Sequence, residues 1–165
     1  MKDMNPPSRR KVLKASAAAI GISIAGCLGD GTEEWEVDET LTVKSAVQYQ
    51  GPSCDCCGVY ADYLQNHLDE ELDVTVTDDL TSVKEDYGIR TDLRSCHTVV
   101  LDGYVVEGHM PVEVIATLLD EEPDLEGIAL PGMPAGSPGM GGEKDGTWRV
   151  YEIRPREEPS VYTDV

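Results

Sequence analysis

The sequence predicts an α/β domain in which a few helices pack on a small mixed sheet, in the order β-α-β-α-β-β-α. Three observations lead there. Short β-branched runs alternate with segments whose apolar residues recur at helical spacing, as in one compact α/β layer. Asp102-Gly103 stands between Thr98–Leu101 (TVVL) and Tyr104–Glu107 (YVVE), a strong two-residue hairpin signal. The chain has 165 residues, about one domain's worth.

The first 26 residues stand outside that domain. Ser8–Lys14 (SRRKVLK) is basic, Ala15–Gly26 is apolar and small, and Cys27 follows. A basic start, a short apolar stretch and small residues before a cut site make an export signal. The apolar stretch is too short to span a bilayer as a helix. Arg9-Arg10 with Val12-Leu13-Lys14 resembles the twin-arginine motif, with Val12 where a Phe is usual. Ile24-Ala25-Gly26-Cys27 resembles a lipobox, in which the cysteine becomes the lipidated first residue. Residues 27–40 are polar and acidic and read as a tether from that cysteine. The expected location is therefore the outer face of the cytoplasmic membrane, with the protein lipid-anchored through Cys27.

The domain is expected over residues 41–153. Leu41–Tyr49 (LTVKSAVQY) alternates partly and reads as a strand, broken by Gly51-Pro52-Ser53. Val59, Tyr60, Leu64 and Leu68 then recur at helical spacing, predicting an amphipathic helix from Gly58 to about Glu71. Asp73–Asp78 is a short strand, and Leu80–Tyr87 a brief helix closed by Gly88. The Thr98–Glu107 hairpin follows. Pro111 occupies a helix start, and Val114, Ile115, Leu118 and Leu119 give that helix an apolar face until Pro123. Ile128–Leu130 is a short extension, Thr147–Ile153 a last strand, and residues 154–165 a polar tail. The order resembles the thioredoxin fold, in which a cysteine pair follows the first strand at the start of the first long helix.

Cleavage before Cys27 removes five basic residues and one acid, leaving 8 basic residues against 31 acidic and a net charge of −23. Such a surface repels nucleic acid and anionic lipid headgroups. Acids dispersed along the whole chain suit solubility in concentrated salt, where repulsion is screened. The acidity reads as adaptation to the saline habitat of a halophilic archaeon and does not itself point to a partner.

The chemistry lies in GPSCDCCGVY (Gly51–Tyr60), where Cys54, Cys56 and Cys57 crowd four positions. The spacing fits a redox CxxC, a CxC metal clip, or the start of a disulfide framework. A purely structural framework is the weakest of the three, since neighbouring cysteines close tiny loops that constrain little. A disulfide in a metal-free form still fits. Thiols at a helix N-terminus are pushed towards thiolate, the form that both attacks disulfides and binds metal. Where redox thioredoxins place a cis-proline against the pair, this chain has Ser95-Cys96-His97-Thr98, bringing a fourth thiol and an imidazole instead. His109, Met133 and Met140 add soft donors further along. Thiolate, thioether and imidazole together select Cu(I) over hard cations, whereas zinc is satisfied by thiolates alone. Closely spaced thiolates also bridge, so more than one Cu(I) per domain is physically reasonable. His67, beside the apolar stripe of the first helix, reads as a surface or core-edge residue.

CDCCGVYADYL, SCHTVVLDGYVVEGHMP and LPGMPAGSPGM, in that order, resemble the CopG-type copper-resistance proteins, small exported metal-binding proteins with a thioredoxin-like domain. The resemblance covers about Thr42 to Gly142. It implies Cu(I) handling by Cys54, Cys56, Cys57 and Cys96, with His97, His109, Met133 and Met140 as further ligands. The residues favour a metal-binding protein over an enzyme, with copper ions and other copper-handling proteins as partners. The rival is a thiol–disulfide oxidoreductase with Cys54 as nucleophile and Cys57 as resolving thiol. A disulfide-stapled interaction domain is the third reading.

Overall fold

The computed structural model describes residues 40–165. The export signal, Cys27 and nearly all of the acidic tether lie outside the described residues. Among the described residues no helix is long and apolar enough to cross a membrane.

One mixed sheet organises the chain. Its strands are β1 (Ala46–Gln50), β2 (Asp73–Val76), β3 (His97–Leu101), β4 (Tyr104–Glu107), β5 (Gly127–Ala129), β6 (Arg149–Ile153) and β7 (Val161–Asp164). Their order across the sheet is β2-β1-β3-β4-β5-β6-β7. β1 runs parallel to β2 and antiparallel to β3, with Gln50 opposite His97. The helices are α1 (Asp55–Gln65), α2 (Leu80–Asp86) and α3 (Val112–Glu121), and a single 3-10 turn covers Thr91–Leu93. The α/β class and the small mixed sheet agree with the sequence expectation.

Alternation along β3 and β4 divides the interior into two cores, because successive strand residues face opposite sides. On one side Val99, Leu101, Val106, Ile128 and Val150 pack with Tyr60 and Leu64 of α1 and Ile115 and Leu118 of α3. On the other, Val105, Ala129 and Ile153 pack with Ile89 and Leu93. The hairpin turn forms as its residues require: Asp102 and Gly103 take φ of 48° and 98°. Asp102 then ties that turn to the approach to β1, its Oδ1 accepting from the backbone N–H groups of Lys44 and Ser45 at 2.8 and 3.0 Å.

Four details differ from expectation. The first strand begins at Ala46 rather than Leu41, which makes only an isolated bridge. The first helix begins at Asp55 rather than Gly58, and its inward stripe is Cys57, Tyr60, Ala61 and Leu64, while Val59 is exposed. Apolar spacing begins to register only after the first turn, so the cysteines inside that turn were invisible to it. Leu68 lies beyond the helix and forms a parallel bridge with Leu41. Finally, the stretch expected as a polar tail contains β7, which pairs antiparallel with β6. Val161-Tyr162-Thr163 is too short and too acid-flanked to register as a strand, and partner β6 supplies its hydrogen bonds.

Candidate metal centre

The site forms where the start of α1 meets the start of β3. Cys54 occupies the position capping α1, and Cys56 and Cys57 lie in its first turn. Cys96 immediately precedes β3 and His97 opens it. Since β1 and β3 are antiparallel neighbours, the loop leaving β1 and the loop entering β3 fall at the same end of the sheet. The fold thereby brings together residues about forty positions apart.

The four sulfurs of Cys54, Cys56, Cys57 and Cys96 lie within 4.8 Å of one another. Cys54 and Cys57 are joined by a disulfide, and Cys56 and Cys96 are free thiols. Cys56 Sγ is 3.6 Å from Cys54 Sγ and 3.9 Å from Cys96 Sγ. Cys96 also belongs to a second group with His97 and His109, again within 4.8 Å. Its sulfur is 3.3 Å from His97 Nδ1 and 3.1 Å from His109 Nε2. Six of the eight expected donors thus converge, with Cys96 common to both groups. The site opens on a groove lined by Pro52, Ser53, Cys54, Cys56, Leu80 and Cys96.

The imidazoles are held without being charged. His97 and His109 are fully buried, with ring centroids 4.8 Å apart. Burial pushes the His97 pKa well below its ordinary value, and the neighbouring His109 and Lys84 push in the same direction. His109 is likewise lowered by burial, which its contact with the Pro138 carbonyl partly offsets. Neutral imidazole is the ligand form. The Cys96 thiol, by contrast, is pushed up to about 12 by burial first and by the nearby Cys56 second. The thiolate-favouring effect expected at a helix start does not reach Cys96, which lies off the helix. Metal would have to displace its proton.

Two features escaped sequence reasoning. Tyr60, which looked like a core residue of the helical stripe, lies tilted over His97 with ring centroids 4.5 Å apart and edge-on to His109 at 5.3 Å. Its hydroxyl donates to the Met110 carbonyl at 2.9 Å, which fixes it as a wall between helix and imidazoles. Gln48, buried in β1, donates through Nε2 to the Cys57 carbonyl at 2.9 Å and so braces the first turn of α1. A polar residue amid the alternation of the first strand was the available signal.

The Gly/Pro-rich segment 131–142 covers the imidazoles. His109 Nδ1 lies 2.7 Å from the Pro138 carbonyl oxygen. Gly139 has φ of 76°, and a Cβ there would meet the Tyr60 backbone N at 2.9 Å, so only glycine allows this approach. Met133, exposed and at φ of 47°, and Met140, half-buried directly after Gly139, sit on this segment. His67 packs edge-on against Tyr63 at 4.9 Å, the core-edge role expected of it.

The donor set is chemically coherent: the free thiols of Cys56 and Cys96 and two neutral imidazoles suit a soft metal ion, and reduction of the Cys54–Cys57 disulfide would add two more thiols. His97 Nε2 is buried and makes no hydrogen bond within the protein.

A family model described as a protein of unknown function, DUF411, matches residues 93–140, the stretch carrying Cys96, His97, His109, Met133 and Met140. No curated protein matches the chain. Among solved structures, one described as "Copper resistance protein copG- Form 2" is 34% identical, with 77% of this chain and 99% of that one covered and a TM-score of 0.66. The chain belongs to the CopG family. A second structure, "Copper resistance protein copG- Form 1", is also 34% identical, with 77% and 98% coverage and a TM-score of 0.65. The CopG likeness covers 77% of the chain, well beyond the length of the segment matched by the family model.

Proposed function

We propose that this protein binds copper as Cu(I) outside the cytoplasmic membrane and serves copper tolerance or delivery. The observation that carries the reading is the convergence of four cysteine sulfurs with a Cys-His-His group sharing Cys96. Copper resistance in the names of the related structures supports it. Thiolates of Cys54, Cys56, Cys57 and Cys96 are the principal ligands, with His97 and His109 beside them and Met133 and Met140 on the covering segment as supplementary donors. A disulfide sulfur is not a thiolate, so an external reductant must deliver two electrons to the Cys54–Cys57 bond, giving two thiolates, before all four ligands are available. Closely packed thiolates bridge readily, which allows more than one Cu(I) per chain.

The thioredoxin-like reading of the scaffold belongs to the same proposal. The order β1-α1-β2-α2-β3-β4-α3, with Cys54 at the start of α1, supports it. Export and lipidation at Cys27 rest on the residues 8–27 alone.

Copper loading of the reduced mature protein, measured against a Cu(I) chelator, tests the central claim. Binding should require a reductant, and Cys54→Ser should lower the stoichiometry. A result no higher than that of a cysteine-free control would sink the proposal.

The Cys54–Cys57 disulfide favours a second reading, a thiol–disulfide oxidoreductase or copper-linked redox protein. Cys54 thiolate would attack a substrate disulfide, and Cys57 would then release the reduced substrate as the intramolecular disulfide forms. Disulfide-reduction turnover that persists in Cys56→Ser and Cys96→Ser variants would favour it over copper carriage.

A further inference from the structure

We infer that the buried Lys84–Glu107 pair is a positioning device that fixes Cys96 and His97 against the α1 cysteines. The inference rests on the metal-binding reading of that site. Lys84 is 4% exposed and Glu107 fully buried, in a chain whose charges otherwise crowd the surface. Isolated stability does not account for such a pair. Replacing buried ion pairs with apolar side chains is often neutral or stabilising, because desolvating two charges offsets most of their attraction.

What the pair grips is specific. Glu107 Oε1 accepts from the Ser95 backbone N–H at 2.5 Å and from Lys84 Nζ at 2.5 Å. Glu107 Oε2 accepts from Thr98 Oγ1 at 2.7 Å, and Lys84 Nζ reaches the same hydroxyl oxygen at 2.9 Å. Ser95 and Thr98 bracket Cys96 and His97. One carboxylate therefore pins both ends of a four-residue stretch whose two central side chains face the metal site. Strand alternation places Thr98 on the sheet face opposite His97, so the grip comes from behind while His97 packs against Tyr60.

The same residue also sets the other imidazole. Glu107 ends β4, and His109 follows two residues later through Gly108, whose N–H donates to the His97 carbonyl at 3.3 Å. Gly108 has φ of 85°, and a Cβ there would meet the Leu130 carbonyl at 2.6 Å and Ser95 at 3.0 Å. The 95–98 and 107–109 segments are thus clasped together with no room between them. Lys84, delivered from α2, keeps Glu107 aimed through its contact with Oε1. Groups that orient ligands in this way typically change metal affinity about 10–100-fold when removed.

Two double variants separate the tethers from the charge. Lys84→Met/Glu107→Leu removes both tethers. Lys84→Met/Glu107→Gln removes both charges but keeps an acceptor for the Ser95 N–H and a donor to Thr98 Oγ1. In the Leu variant, Cu(I) affinity by chelator competition should fall about 10–100-fold with stoichiometry kept. Alkylation of Cys96, mapped by peptide in the metal-free protein with Cys54–Cys57 oxidised, should accelerate. The Gln variant should stay close to wild type in both. Equal behaviour of the two variants, or a Leu variant indistinguishable from wild type, overturns the inference. If the Leu variant does not fold, Thr98→Val carries the test, since it cuts one tether and leaves the charges paired. Unchanged Cys96 alkylation there is equally fatal. The alkylation readout needs no copper, so it stands even if the copper reading fails.

Discussion

Cys96 touches every part of the site: Cys56, His97 and His109 all lie within 3.9 Å of its sulfur. Its loss should therefore cost more than that of Cys54, which belongs to the four-cysteine group alone. Chelator competition on Cys96→Ser and Cys54→Ser should show the larger affinity drop in the former. Because burial holds the Cys96 thiol protonated at neutral pH, loading must release its proton. Apparent affinity should weaken as pH falls, by about tenfold per pH unit for each proton displaced. Calorimetry in buffers of different ionisation enthalpy counts those protons. His97 predicts a different pH effect, on folding. Its pKa is depressed in the folded state, so the unfolded chain binds more protons below about pH 6.5. Stability of the metal-free protein is then complete above that pH and declines as pH falls towards the folded value. Thermal melts between pH 7 and 5 should show this, and His97→Phe should flatten the decline, leaving the smaller contribution of His109.

At the scale of elements, each site residue is placed by the end of a helix or strand. α1 starts at the cysteines and ends shortly after Tyr63, whose hydroxyl accepts from the Val112 N–H at 3.0 Å and so satisfies one free donor at the start of α3. α2 is capped by Asp79, whose Oδ1 accepts from the Ser82 N–H at 3.0 Å, and it carries Lys84 inward. The covering segment 131–142 is held by a close backbone approach, Gly139 on Tyr60. Gly139→Ala should force the two apart, destabilising the fold by more than about 1 kcal/mol from the strained φ and the clash together. Hydrogen exchange should rise within the segment while β1 and β3 keep their protection. Equal exchange in wild type and variant would show that the segment is not pinned there. The elements themselves were largely legible, because strand alternation and helical spacing leave a direct trace in sequence. The start of α1 was not, since cysteine is neither clearly apolar nor clearly polar in such a pattern. Nor was β7, whose hydrogen-bonding partner is the only thing that makes it a strand.

For the whole molecule, the governing quantity is charge. The full chain carries a formal net charge of −19, with 32 acidic residues against 13 basic ones. Among the described residues the surface ion pairs are few, and exposed ones such as Arg90 with Asp92 and Glu158 contribute little. Self-repulsion among the remaining acids opposes folding and should be relieved by salt. Raising ionic strength from about 0.1 M to about 1 M shortens the screening length from about 10 to about 3 Å. The melting temperature should rise over that range, and a flat or falling response would contradict this account of the acidity. The sheet holds against this repulsion through two apolar cores, one on either face.

The sequence by itself determined the α/β class, the strand–helix order through α3, and the soft donors that converge. Those depend on residue type and spacing along one dimension, which composition and periodicity record. It also carried the kinship with CopG, because the cysteine, histidine and methionine motifs are local strings. Only the tertiary structure decided that Cys96 is shared by two ligand groups and that its thiol is held protonated. The same holds for Tyr60 as a wall and for Glu107 as the residue that grips Ser95 and Thr98. Each of these depends on burial or on distances across the sheet. Burial sets the energy of a charge, and strand register sets which distant residues meet, and neither is written at any single position in the chain.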